Sequence, residues 1–177
     1  MRQTWGVRYL TIVRHSKALP AVVGESDFER TLNKRGREQC AQLREWASDP
    51  KELGRYGPTT ALVSAAARTK ETFQRSFEGT TFVHHVQYSE SIYNGHRDVS
   101  AEDVLVDLVA IDPVTTSLMV VGHNPTVFYL MFALAKDLPK AMRGDRYPLG
   151  GAFVLELPDD RCVALERYEV VASFVPD

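Results

Sequence analysis

Apolar positions along the chain alternate between two patterns. Short runs rich in β-branched and apolar residues lie at Arg8 to Val13, Thr60 to Ser64, Thr81 to Val86, Ser117 to Val121, Ala152 to Leu157 and Val163 to Tyr168. Each has the length and composition of a strand. Between them the apolar residues recur at helical spacing. In "NKRGREQCAQLREWA" the residues Cys40, Leu43 and Ala47 share one face, and "SAEDVLVDLVAI" opens with a capping box, Ser100 with Asp103, ahead of Val104, Leu105 and Leu108. A further helix starts in "HNPTVFYLMFALAK", with Asn124 as its cap and Pro125 at its first position. Strands alternating with helices predict βα units and a mostly parallel sheet of about six strands. The stretch from Pro139, "PKAMRGDRYPLGG", reads as the longest loop, and neither a repeat nor a linker divides the chain. The expectation is a single domain over 1–177.

Composition narrows the classes. With 177 residues and 44% hydrophobic content, the chain can bury a sizeable core without disulfides or structural metals. A formal net charge of -2 supplies no field for nucleic acid. Two cysteines, Cys40 and Cys162, stand far apart with no CxxC, and read as reduced core residues. No apolar run reaches the length of a bilayer span, and "MRQTWGVRYL" lacks a signal-peptide core, so a cytoplasmic location with no membrane partner is expected.

Three strand ends then carry polar groups that a core would not choose. The first ends in Arg14 and His15. The second ends in Ser64, with Arg68 one helical turn later in "SAAARTKET", and the fourth ends in "VVGHNP" with His123. In open α/β sheets ligands bind at the carboxyl ends of strands, beside the helix N-termini that follow. Two guanidinium forks match a phosphoryl group in charge and geometry, and a histidine with an unprotonated nitrogen can attack phosphorus.

These motifs, in this order and each after a strand, resemble the histidine phosphatase superfamily with its phosphoglycerate mutase-like fold. Within it they resemble the small SixA-type phosphohistidine phosphatases. "IVRHSKA" is similar to the Arg-His signature, "SDFERTLNKRGREQ" to the segment leading into the first helix, "VSAAARTKET" to the second arginine motif and "VVGHNP" to the second histidine motif. "YPLGGAFVLEL" resembles the late strand. The resemblance implies an α/β three-layer sandwich with no cap domain, and a metal-independent phosphatase that needs no cofactor. It implies His15 as the nucleophile that becomes phosphohistidine, with Arg14, Arg68 and His123 around the nonbridging oxygens. Ser64, Asn124, Glu90 and Ser16 are expected to line the substrate.

Two departures shape the reading. Ser16 stands where the superfamily often has glycine, and the segment "YSESIYNGHRD" has no obvious general acid. Glu90 is the nearest carboxyl, and Asn94 sits closer to the acid's usual place. A phosphomonoester benefits from a proton donor, whereas the P–N bond of phosphohistidine is labile. The short segment from Arg68 to His123 leaves no room for a capping insertion, and an open pocket suits a phosphoryl group carried by another protein. The expected substrate is therefore a histidine-phosphorylated protein, in a signalling role. A phosphomonoesterase or mutase-like enzyme and a non-catalytic phosphate-binding module are the alternatives. Arg30 and Lys34 are as readily a solvated helix start as phosphate ligands, and His84, His85 and His96 receive no role.

Overall fold

A computed structural model describes residues 9–111, 117–142, 144, 146–157 and 166–177. In chain order it contains β1 (Tyr9–Arg14), α1 (Lys34–Ser48), β2 (Thr59–Ser64), α2 (Ala67–Ser76), β3 (Val83–Ser89), α3 (Ala101–Ala110), β4 (Ser117–Gly122), α4 (Thr126–Leu134), β5 (Ala152–Glu156) and β6 (Glu169–Phe174).

The strands form one six-stranded sheet in the order β3-β2-β4-β1-β5-β6. The four strands from β3 to β1 run parallel, as alternating βα units dictate. The two last strands make the sheet mixed rather than mostly parallel: β5 lies antiparallel to β1, and β6 antiparallel to β5. Among the described residues between α4 and β5 the chain has only a short 3-10 turn, Lys140–Met142. Without a crossover helix it climbs back along its own edge and enters the sheet from the end that β1 leaves, so Arg14 N donates to Gly151 O and Gly150 N to His15 O.

Side chains alternate across the sheet, and both faces are covered. Leu10 and Ile12 of β1, Leu62 of β2 and Leu118 and Val120 of β4 pack with Val104 and Leu108 of α3 and Leu130 and Met131 of α4. Their neighbours Val13, Ala61, Val63, Met119 and Val121 point the other way, onto Leu43 and Ala47 of α1 and Phe73 of α2. This gives the three-layer α/β sandwich expected, with the six strands between two helical layers.

Element ends differ in places from the pattern reading. Arg8, the expected start of β1, lies outside the described residues, and β3 lies two to three residues later than the expected Thr81 to Val86. The final strand was expected at Val163 to Tyr168. Residues 163–165 lie outside the described residues, Tyr168 makes only an isolated bridge to Ala135, and the strand follows at Glu169–Phe174. There Phe174 stacks on Trp46 and Tyr168 is buried beside α4, contacts between distant segments that periodicity does not reveal. Asn33 caps α1 by accepting from Gly36 N at 2.9 Å, and Ser100 with Asp103 forms the capping box of α3. Asn124, by contrast, does not cap α4. Pro125 occupies the cap position, and the Asn124 side-chain oxygen is buried without a partner.

Candidate active site

The register of the parallel strands builds the site. Val121 of β4 pairs with Val13 of β1 on one side and Val63 of β2 on the other, so the three strands end at one level. Arg14, Ser64 and Gly122 therefore stand side by side, and His15, Arg68 and His123 follow within a few residues. The open cleft above them, of about 470 Å³, is lined by Arg14, His15, Lys17, Asp27, Arg30, Arg68, Asn94, His123 and Asn124 among others. Four cationic side chains thus face it, against one carboxylate.

His15 is 8% exposed. Its Nδ1 lies 2.7 Å from Ser16 O, an acceptor only, so Nδ1 carries the proton and Nε2 keeps its lone pair. Burial, reinforced by the charges of Arg68, Arg14 and Arg30, lowers the pKa to about 3 against the opposing Ser16 hydrogen bond. His123 is also buried, and its pKa is driven well down by burial first and then by His15 and Arg68. Its Nε2 lies 2.8 Å from Ser64 Oγ, while its Nδ1 is buried with no partner.

The two guanidinium groups are each fixed by one edge. Arg14 Nη1 donates to Tyr147 O, and the buried Tyr147 hydroxyl donates in turn to Ile12 O of the same strand. Arg68, in the first turn of α2 and 6% exposed, donates from Nη1 to Asp27 O at 2.7 Å and from Nη2 to Asp27 Oδ2 at 3.0 Å. In both arginines Nε is buried without a partner. A buried donor with nothing to bind is costly, and an anionic oxygen is the kind of acceptor that such a donor matches.

Asp27 escaped the sequence reading, although it stands in the quoted "SDFER" segment three residues before Arg30. Besides Arg68 it accepts Arg30 Nε and Nη2 on Oδ1 and the Tyr93 hydroxyl on Oδ2. Burial favours the neutral acid, but the hydrogen bonds from Tyr93 and Arg30 and the charges of Arg68 and Arg30 outweigh it. They hold the carboxyl far below the usual carboxylate range. Tyr93 closes the cluster, its ring edge-to-face with His123 at 5.6 Å and under the Arg68 guanidinium at 5.8 Å.

The structure brings together Arg14, His15, Arg68 and His123, and Asn124 lines the same cleft. Ser64 stands behind His123 and meets the cleft only through that ring. Ser16 lies beneath the floor, fully buried: its N–H donates to Thr72 Oγ1, and its Oγ accepts from Cys40 Sγ at 3.4 Å. Gly150, at φ +68°, passes over it so closely that a Cβ would come 3.0 Å from the Ser16 hydroxyl. Glu90 is exposed and is not among the residues lining the cleft. Arg30 reaches the cleft, whereas Lys34 points to solvent near Glu38. His96 packs on Phe28 and Tyr93 beside the site, and His84 and His85 are exposed on β3. Among the described residues no group of three or more His, Cys, Asp or Glu could hold a metal ion, and no helix is long and apolar enough to cross a membrane.

Neither a protein-family model nor a curated protein matches the chain. Solved structures do. A protein of Agrobacterium tumefaciens assigned as phosphohistidine phosphatase SixA superposes with a TM-score of 0.74, at 29% identity over 96% of this chain and 99% of that one. A second protein so assigned, from Nakamurella multipartitia, gives a TM-score of 0.73 at 22% identity, covering 96% of each chain. The protein histidine phosphatase SixA complexed with tungstate gives 0.70 at 18% identity, over 95% of this chain and 97% of that one. The likeness read from the motifs is thus met along nearly the whole chain, with the superfamily's fold and SixA proteins among its structural neighbours.

Proposed function

We propose that the protein is a phosphatase that takes the phosphoryl group of protein phosphohistidine onto His15 and passes it to water. One observation carries this reading. His15 Nε2, freed by the bond from Nδ1 to Ser16 O, shares a cleft with two guanidinium groups whose buried Nε–H groups have no partner.

In the first step the His15 Nε2 lone pair forms a bond to phosphorus while the P–N bond of the substrate breaks, its electron pair returning to the leaving ring nitrogen. A substrate ring already protonated on its other nitrogen departs as neutral imidazole, and no donor is needed. Arg14, Arg68 and His123 stabilise the charge on the three nonbridging oxygens. In the second step water attacks phosphorus and His15 leaves with its Nδ1 proton still on the bond to Ser16 O. Both protons of the water remain on the phosphate released.

The leaving group follows from the carboxylates. Asp27 is the acid in the cleft, and Arg30, Arg68 and Tyr93 hold it ionised; Glu90 is outside. Neither serves as the proton donor that a poor alkoxide leaving group requires. The likeness to proteins assigned as phosphohistidine phosphatases supports the same choice. Turnover measured in parallel on a phosphohistidine protein and a panel of phosphate monoesters tests it. The expected result is a strong preference for the P–N substrate; equal or better monoester turnover overturns the substrate assignment.

A further inference from the structure

Beside the cleft runs a second groove, of about 610 Å³, lined by Leu19, Pro20, Val22, Glu25, Glu29 and Arg30 with Ser26 and Thr31. Leu19, Pro20 and Arg30 belong to both cavities, so the two are continuous. The tip of this loop is apolar and uncovered: Leu19 and Val22 are about half exposed and Val23 fully so. Three large apolar side chains presented to water within five residues are a feature characteristic of interaction surfaces.

The loop is also preformed. Leu19 N donates to Thr31 O, Ala18 bridges to Leu32, and Arg30 Nη1 donates to Leu19 O at 2.8 Å. At the far end Glu25 N closes a turn onto Val22 O, with Gly24 at φ +87°, a conformation that other residues rarely adopt. The apolar shelf therefore stands beside the cleft without having to order on binding, which keeps the entropic cost of docking low.

Charge specifies the occupant. Arg30, the one cation of the groove, is bound to Asp27 and Leu19 O, whereas Glu25 and Glu29 belong to no ion pair among the described residues. The groove is thus apolar and acidic, directly beside a cleft that is basic. We infer that it binds the polypeptide flanking the phosphorylated histidine, seating an apolar side chain on Leu19, Pro20 and Val22 and a lysine or arginine against Glu25 and Glu29. A small phosphorylated metabolite, held in the cleft, has nothing to place there. This inference deepens the proposed function and rests on it.

The test compares phosphoramidate with two phosphohistidine peptides of equal length, one with leucine and lysine beside the phosphohistidine and one with alanine and glutamate. The unaltered protein is expected to favour the leucine-lysine peptide about tenfold or more in kcat/KM, mainly through KM. Val22→Ser with Val23→Ser, and separately Glu25→Lys with Glu29→Lys, should abolish that preference while leaving phosphoramidate turnover within about twofold. The glutamate reversal should also improve turnover of the alanine-glutamate peptide. Equal use of the two peptides by the unaltered protein, or an unchanged preference in both variants, overturns the groove assignment alone. So does a dimer in sedimentation that Val22→Ser with Val23→Ser dissociates while the peptide preference stays, since the groove then binds a second copy. Absence of turnover on phosphoramidate and on both peptides by the unaltered protein overturns the proposed function itself.

Discussion

The imidazole rings of His15 and His123 lie 5.2 Å apart, centroid to centroid, tilted by 55°. Each is tethered by one ring nitrogen, His15 through Nδ1 to the Ser16 carbonyl and His123 through Nε2 to the Ser64 hydroxyl. The other nitrogen of His123, Nδ1, is buried without a partner. Burial pushes both pKa values down, reinforced at His15 by the charges of Arg68, Arg14 and Arg30 and at His123 by His15 and Arg68.

The first prediction concerns pH. With its pKa near 3, His15 should stay neutral, Nδ1-protonated and Nε2-bare at pH 5, which ring-nitrogen NMR reports directly. A His15 titration near 6.5 would contradict the burial argument. Stability follows the same sign. Between pH 6.5 and about 3 the unfolded state binds the proton that buried His15 refuses, so folding stability falls as pH drops through that window. Denaturant titrations should show a shallower loss over that range in His15→Gln than in the unaltered protein.

Replacement of the proposed nucleophile separates covalent from direct hydrolysis. Brief reaction with phosphoramidate and acid-free quenching should leave a base-stable, acid-labile phosphoryl group on His15. His15→Ala should lose both label and turnover; label surviving on another residue in that variant would remove His15 from the first step.

Arg68→Lys is expected to lose about a hundredfold or more in turnover, within the range found when one transition-state donor is removed. A lysine cannot span Asp27 O and Asp27 Oδ2 with one edge and face the cleft with another. Near-normal turnover in Arg68→Lys would place this arginine outside the reaction.

Oxyanions give a readout independent of turnover. Tungstate or vanadate should inhibit competitively and raise the melting temperature with concentration. An oxyanion at a hundred times its Kd contributes about 2.7 kcal/mol to folding. The shift should vanish in Arg68→Ala, which leaves the cleft one fork short. Exhaustive chelation should leave turnover intact, and activity lost to a chelator and restored by a divalent ion would count against the mechanism.

Glu90→Gln should retain phosphohistidine hydrolysis within about tenfold, the low end or less of a general acid's usual contribution. Glu90 is exposed and touches the site only through its carbonyl, which accepts Tyr93 N at 3.0 Å. A thousandfold loss would make it an essential acid and favour the monoester reading.

What the sequence determined by itself was local. Strand and helix periods, the capping box at Ser100, and polar residues at three strand ends are each written within a few consecutive positions, because backbone geometry repeats every two or 3.6 residues. Arg14, His15, Arg68 and His123 were legible for that reason. Tertiary structure alone decided that these ends meet, through the shared register of Val13, Val63 and Val121. It decided that Ser16 lies under the floor and Ser64 behind His123, since both are placed by residues far along the chain, Thr72 and His123. It also made Asp27 the partner of Arg68. An aspartate in a loop 41 positions away carries no periodic signal, and only the folded chain brings its carboxylate to the Arg68 guanidinium.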